Sequence, residues 1–274
     1  MIRRLPVLLQ LNNSIYKEIE FKKLETDIIA QTYDTMKNNN YYLAMRVFVA
    51  GCTESIKNET DIITDQVAIK SALSKMSHKN LEYFVNEILT NYFDGDDYVE
   101  GLYICPLCGQ QKYAEKKNDD GIEIDTRDRI QYLKVNFMDD SSDNEFEINF
   151  QNSIILKSAN TEEEINSIKM RISTLEDVIN AYNLVGDRNE FILQLAIYAN
   201  SLIVVNGIKI EKSWKNSYGL LLFKKINSRE ILQEISKNMN KYGVNPRIEK
   251  HCNKCGKVWQ PYLDTTNFFV SALQ

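Results

Sequence analysis

The chain has 274 residues, with 33 lysines and arginines against 38 aspartates and glutamates and a formal net charge of −5, a balance that excludes a strongly basic nucleic-acid binder. Hydrophobic residues at 43% and charged residues at 26% supply enough apolar surface for a core or two, so disorder is not expected. At roughly 100–200 residues per domain the length allows one large or two small domains.

The first residues, Met1-Ile-Arg-Arg-Leu-Pro, open an apolar stretch that is short, broken by Pro6 and followed by no small-residue cleavage site, so no export signal is expected. Leu5–Leu11 and Ile15–Phe21, separated by Asn12-Asn13-Ser14, predict a β-hairpin. Helical patterns follow at Leu24–Ile29, at Tyr42–Ala50 and at Leu81–Leu89, and then comes Cys105-Pro-Leu-Cys108-Gly109. Beyond it, Gln110–Asp128 is polar and charged. Gln131–Phe137 and Phe146–Gln151 alternate apolar with polar residues around Asp139–Asn144 and predict a second hairpin with an acidic loop.

The second half then runs through Leu175–Asn180, Phe191–Ala199 and Ile231–Met239, three further helical patterns. Ser173-x-x-Glu176 reads as a capping box, Asn227-x-x-Glu230 resembles one, and Glu162-Glu163-Glu164 suits the negative-charge preference of a helix start. Phe191–Val205 is the longest apolar run, interrupted by Gln194, Asn200 and Ser201; it falls short of the roughly 20 residues of a membrane span and predicts a buried helix. The half ends in Cys252-Asn-Lys-Cys255-Gly256.

The order of these segments is the same in both halves, at an offset that drifts from 151 to 147 residues, which is the signature of an internal repeat. Val99-Glu100 with Ile248-Glu249 and Tyr92 with Tyr242 fall in register with the cysteine pairs. The expected architecture is therefore α+β, mainly helical, in two related repeats. Each is a hairpin, a small helical bundle and a Cys-x-x-Cys knuckle: repeat 1 over 1–112, a connector over 113–130, and repeat 2 over 131–274.

Two Cys-x-x-Cys-Gly knuckles supply the four soft thiolates that tetrahedral zinc prefers, which makes Cys105, Cys108, Cys252 and Cys255 the candidate ligands of one shared structural zinc. A joint site requires the two repeat ends to meet. With no export signal, the cysteine pattern points to thiols or metal in a reducing compartment rather than to structural disulfides. A thioredoxin-like redox pair needs a strand followed by a helix start, whereas both pairs here follow predicted helices. His251 and His78 are alternative ligands, with a plain surface histidine the simpler reading of His251, and Cys52 ends an apolar helix, where burial is expected. Asp139, Asp140, Asp143 and Glu145 have the oxygen ligands for a hard cation but lack the spacing of a calcium loop, and a solvated loop tip is the expectation.

A four-cysteine site leaves no coordination position for water and implies folding energy rather than catalysis. With two histidines, no Gly-x-Ser-x-Gly, no phosphate loop and no Gly-x-Gly-x-x-Gly, the sequence offers no familiar catalytic constellation, and no enzyme is expected. The C-terminal Asn267-Phe268-Phe269 either covers the domain's own core or docks into a partner, own-core packing being the simpler expectation.

The hairpin Leu5-Pro-Val to Ile19-Glu-Phe-Lys-Lys-Leu24, the short helices, the Cys-x-x-Cys-Gly and the ending Asp264-x-x-Asn267-Phe268-Phe269 resemble the small assembly proteins of contractile-tailed bacteriophages, the baseplate hub assembly and tail assembly chaperone families. Those carry one such unit, and this chain is similar to two in tandem over about three quarters of its length. The resemblance implies a non-enzymatic protein of the baseplate hub or tail that acts with other baseplate or tail proteins. It implies a place in the virion, or in the host cytoplasm during assembly, with the four cysteines as metal knuckles; the short apolar run speaks against a membrane partner, and the net charge of −5 counts against nucleic acid. The rival reading is a zinc-ribbon regulatory or nucleic-acid-binding protein, in which Lys254, Lys257 and Trp259 would contact phosphate and base.

Overall fold

The computed structural model describes residues 1–37, 41–92, 98–100, 103–112, 114–118, 121–125, 127–129, 133–157, 162–186, 189–252 and 254–261. The tail motif Asn267-Phe268-Phe269 lies outside the described residues.

Strands β1 (Ile2–Leu11) and β2 (Ser14–Phe21) form the N-terminal hairpin. Its turn places Asn12 and Asn13 at φ 46° and 69°, the left-handed region that asparagine tolerates and that matches strand twist. Helices α1 (Thr26–Lys37) and α2 (Tyr41–Cys52) follow, then β3 (Thr53–Lys57) and β4 (Ile62–Ile63), which extend the hairpin to a four-stranded antiparallel sheet in the order β1-β2-β3-β4. Helices α3 (Gln66–Lys75) and α4 (His78–Tyr92) complete this half.

The middle of the chain carries β5 (Tyr98–Glu100), β6 (Tyr103–Ile104), β7 (Gln111–Lys112), β8 (Ala114–Asn118), β9 (Gly121–Asp125), β10 (Arg127–Arg129) and β11 (Lys134–Asn136). Strands β6 and β7 pair, β8 and β9 pair, and β10 returns to β5. The predicted connector 113–130 thus carries strands of its own.

The second half repeats the order. Strands β12 (Glu145–Lys157) and β13 (Glu162–Arg171) precede α5 (Leu175–Val185) and α6 (Glu190–Ser201); β14 (Leu202–Val205) and β15 (Ile208–Lys209) complete the sheet β12-β13-β14-β15. Next come α7 (Lys212–Trp214), a π-helical turn over Lys215–Gly219, α8 (Leu220–Lys225) and α9 (Arg229–Met239). The last described strands are β16 (Gly243–Asn245), which pairs with β11, and the pair β17 (Lys250–His251) and β18 (Val258–Trp259).

The irregularities recur as well. In β1–β2 the register shifts between Arg4 and Leu9, and in β12–β13 between Asn149 and Ile154. In β2–β3 it shifts between Glu20 and Phe21, and in β13–β14 between Lys169 and Met170. Bulges bend a strand and re-aim its side chains, so the two sheets are bent at corresponding places.

Each half has its own core. Phe21, Phe48, Ile56, Leu73 and Phe84 are buried in the first, with the rings of Phe21 and Phe84 5.3 Å apart edge to face. Ile168, Met170, Leu202, Leu222 and Phe223 are buried in the second. The halves meet where the α3–α4 turn faces the start of α5. Leu175 N donates to Met76 O at 2.8 Å, Ser77 bridges to Thr174, and the Ser173 hydroxyl lies 2.9 Å from Nδ1 of His78. The Tyr42 and Tyr182 rings stack edge-on across the same boundary at 6.3 Å.

The α+β expectation and the six predicted helical segments agree with the structure, while several details differ. Strands are as prominent as helices among the described residues, so "mainly helical" overstated one class. The second hairpin is β12–β13, not 131–137 with 146–151: β11 pairs instead with β16, more than a hundred residues on. Glu162–Glu164 open a strand, pairing with Lys157, Leu156 and Ile155, because Ile165, Ile168 and Met170 bury toward the sheet core around a bulge. The α5 capping box is Thr174 with Asp177, one residue beyond the predicted pair, since Asp177 is also clamped by both Nη atoms of Arg171. Ser228, not Asn227, caps α9. The apolar run from Phe191 breaks at Ser201 and finishes as β14, where Ile203-Val204-Val205 are β-branched. No described helix is long and apolar enough to cross a membrane.

Candidate metal centre

Each Cys-x-x-Cys sits at the tip of a two-stranded ribbon, and the two ribbons are built alike. In the first, Tyr103 pairs with Lys112 and Ile104 with Gln111; in the second, Lys250 pairs with Trp259 and His251 with Val258. Cys105 N donates to Gln110 O at 2.9 Å and Gly109 N to Cys105 O at 3.0 Å; Cys252 N donates to Lys257 O and Gly256 N to Cys252 O, both at 2.8 Å. Gly109 and Gly256 stand at φ 69° and 70°, a conformation that costs a residue with a Cβ. This turn folds the chain back sharply enough that both sulfurs of a pair face one point.

The two points coincide. The four sulfurs of Cys105, Cys108, Cys252 and Cys255 all lie within 4.8 Å of one another, with Cys105 Sγ 3.6 Å from Cys255 Sγ and Cys108 Sγ 3.5 Å from Cys252 Sγ. Thiolates about 2.3 Å from a tetrahedral zinc would stand about 3.8 Å apart, so the cluster already has the size of such a shell. Cys105 and Cys252 are buried, 1% and 3% exposed, while Cys108 is half-buried and Cys255 exposed. The group can hold a metal ion such as zinc.

Electrostatics favours the same conclusion. Burial pushes the Cys105 thiol up, but the amides of Cys108 and Leu107 donate to its sulfur and lower it overall. The amide of Cys255, followed by that of Lys254 and by neighbouring thiols, pulls Cys252 down to about 6 against burial. Cys255 receives the Lys257 amide, yet burial and its three sulfur neighbours drive it up to about 12. The shell stabilises some thiolates but resists gathering all four negative charges, and a divalent cation relieves that repulsion.

The remaining candidates lie elsewhere. His251 is exposed, with Nε2 2.9 Å from Glu249 Oε1, and His78 stands at the boundary between the halves beside Ser173 and Glu82; neither belongs to the sulfur cluster. Cys52 is buried, its thiol raised to about 12 by desolvation. In the acidic run, Asp140 pairs with Lys17 and Arg4, Glu145 with Lys169, and Asp143 accepts from Glu145 N. Among the described residues these carboxylates form no metal-binding group. Ile248, which the sequence marks only as a repeat match, and Trp259, which it offers as a base contact, instead seat the second ribbon by packing on the first half's core. Only their apolar character marks that role locally.

Comparison of the chain with protein-family models, with curated proteins and with solved structures finds no match. The site's chemistry therefore rests on its own geometry.

Proposed function

We propose that this chain is a non-enzymatic structural or assembly protein of a bacteriophage baseplate hub or tail, made of two copies of one unit and locked by a structural zinc. The observation that carries the zinc is the convergence of four sulfurs within 4.8 Å from two ribbons with the same turn and the same pairing. Four thiolates close the coordination sphere and leave no position for a reacting water, so the metal would stabilise the fold rather than catalyse. Structural zinc contributes on the order of 10 kcal/mol to the folding of small metal-held units. Here it would close a loop spanning Cys105 to Cys255.

Duplication is supported by the recurrence of the strand and helix order together with the register shifts at corresponding places in the two sheets. A bulge is a specific local feature, and two in the same relative positions speak for common descent of the halves. The phage assignment rests on the resemblance of the N-terminal hairpin, helices and knuckle to the assembly families, with other baseplate or tail proteins as partners. Lys254 and Lys257, exposed on the second ribbon, favour a rival reading in which the ribbon contacts nucleic acid.

Affinity purification of the tagged chain from its producing culture tests the two readings together. Baseplate or tail proteins are the expected co-purifying species. Nucleic acid released steeply by rising salt would instead support the ribbon as a phosphate-contacting module.

A further inference from the structure

The two cores are not equivalent in how they are completed. Among the described residues, the second is assembled from residues between Phe146 and Met239 alone. The first buries Val244 and is covered by Ile248 and Trp259, which reach it from the far end of the chain. Tyr242 joins Val7, Leu8, Met138 and Ile172 in a small cluster over β1, and β16 lies on α4. Gly243 marks the landing point: at φ 93°, a Cβ there would stand 2.7 Å from Cβ of Lys79 on α4.

We propose that the segment from Gly243 through the second ribbon is a metal-locked clasp that closes over α4 and opens when the metal leaves. The inference rests on the zinc reading above. The clasp's own secondary structure is slight, three ladder residues against β11 and two in β17–β18, and isolated ladders of that length do not hold themselves together. Packing of Ile248 and Trp259 on the first core seats its far end, and the join of Cys252 and Cys255 to Cys105 and Cys108 would lock it there, since metal ligation is folding energy in such a site. Opening would uncover the apolar face of α4 beneath Val244 and the part of the first core beneath Trp259, and leave the second half intact, because none of the described residues of that core belongs to the clasp.

The test is hydrogen exchange on the full chain, zinc-loaded and after a strong chelator, with zinc content followed by native mass spectrometry. Chelation is expected to speed exchange in α4 and in β16–β18 about tenfold or more and to leave β12, β13 and α6 unchanged. Gly243→Ala, which keeps every cysteine, is expected to weaken zinc binding about tenfold and to speed exchange in α4 even when zinc is bound. Iodide quenching of Trp259 in a Trp214→Phe background reads the same opening without a variant at Gly243. If zinc binds and its removal leaves α4 protected and Trp259 shielded, the clasp is wrong and the zinc reading stands. If no zinc binds, both fall.

Discussion

Gly109 and Gly256, 147 positions apart, share one backbone conformation, φ 69° and 70°, and each donates its amide to the carbonyl of the first cysteine of its own pair. Among the described residues, an added Cβ at either position would meet nothing within 4 Å. The penalty for replacing either glycine therefore comes from φ alone, about 1–2 kcal/mol. Gly109→Ala and Gly256→Ala should each weaken metal binding about tenfold, by similar factors, in competition with a chromophoric chelator. Unequal losses would show that the two knuckles are not energetic equivalents.

His78 makes a prediction about acid. Burial, then the charge of Lys79, pushes its pKa down to about 4, although Glu82, Ser173 and Asp177 pull the other way. The unfolded chain takes up this proton near pH 6.5 and the folded chain only near pH 4, so stability is full above about 6.5 and falls through that window as pH drops, by about 3 kcal/mol. Glu82 titrates from a lowered pKa despite burial, because Lys79 and His78 favour its charged form, and it too loses stabilisation toward acid. Urea unfolding of wild type and His78→Gln between pH 4 and 7 should show the two curves converging as pH falls.

Gly51 tests close packing against helix propensity. It lies in α2, where alanine would ordinarily gain about 1 kcal/mol. A Cβ there would stand 2.7 Å from Cγ2 of Ile28 on α1, so Gly51→Ala should instead lower the thermal midpoint by several degrees, a cost of about 1–3 kcal/mol from overpacking. A rise in the midpoint would mean that α1 yields freely.

What the sequence revealed and what it concealed divide along the range of the interactions. The helices at Tyr42, Leu81, Leu175, Phe191 and Ile231 announce themselves because their apolar residues recur every three or four positions, a pattern written within each segment. Strand β11 could not be paired correctly, since its partner Gly243–Asn245 lies over a hundred residues away and nothing in Lys134-Val-Asn names it. Capping choices slipped by one residue because Ser173-Thr174 and Asn227-Ser228 each offer two adjacent candidates. Arg171, which clamps Asp177 and so selects Thr174, stands only six residues before it, but neither residue type announces that pairing.

The candidate metal site divides the same way. The identity of its four cysteines was legible in two Cys-x-x-Cys-Gly motifs, because the chemistry of a knuckle is local. Their convergence depends on the packing of Ile248 and Trp259 on a core made by the other half of the chain, which periodicity does not encode. The β3–β4 and β14–β15 extensions were missed for a related reason: strands of two to five residues are too short to show alternation.

Loss of a single ligand should be costly even though the second half keeps its core. Cys108→Ser and Cys255→Ser change one half-buried and one exposed residue, positions where surface substitutions ordinarily cost less than about 0.5 kcal/mol. If the thiolates hold zinc, either variant should lower the thermal midpoint of the loaded protein by far more than that, toward the value of the chelated wild type, in differential scanning calorimetry.

The central claim is that the two halves share one metal through Cys105, Cys108, Cys252 and Cys255. Native mass spectrometry of the untagged chain, with and without a strong chelator, tests it most directly. The account predicts one zinc per monomer, lost on chelation with the monomer preserved. Metal found only in dimers would contradict pairing of the knuckles within one chain, and a metal-free monomer whose cysteines oxidise readily would contradict the zinc itself.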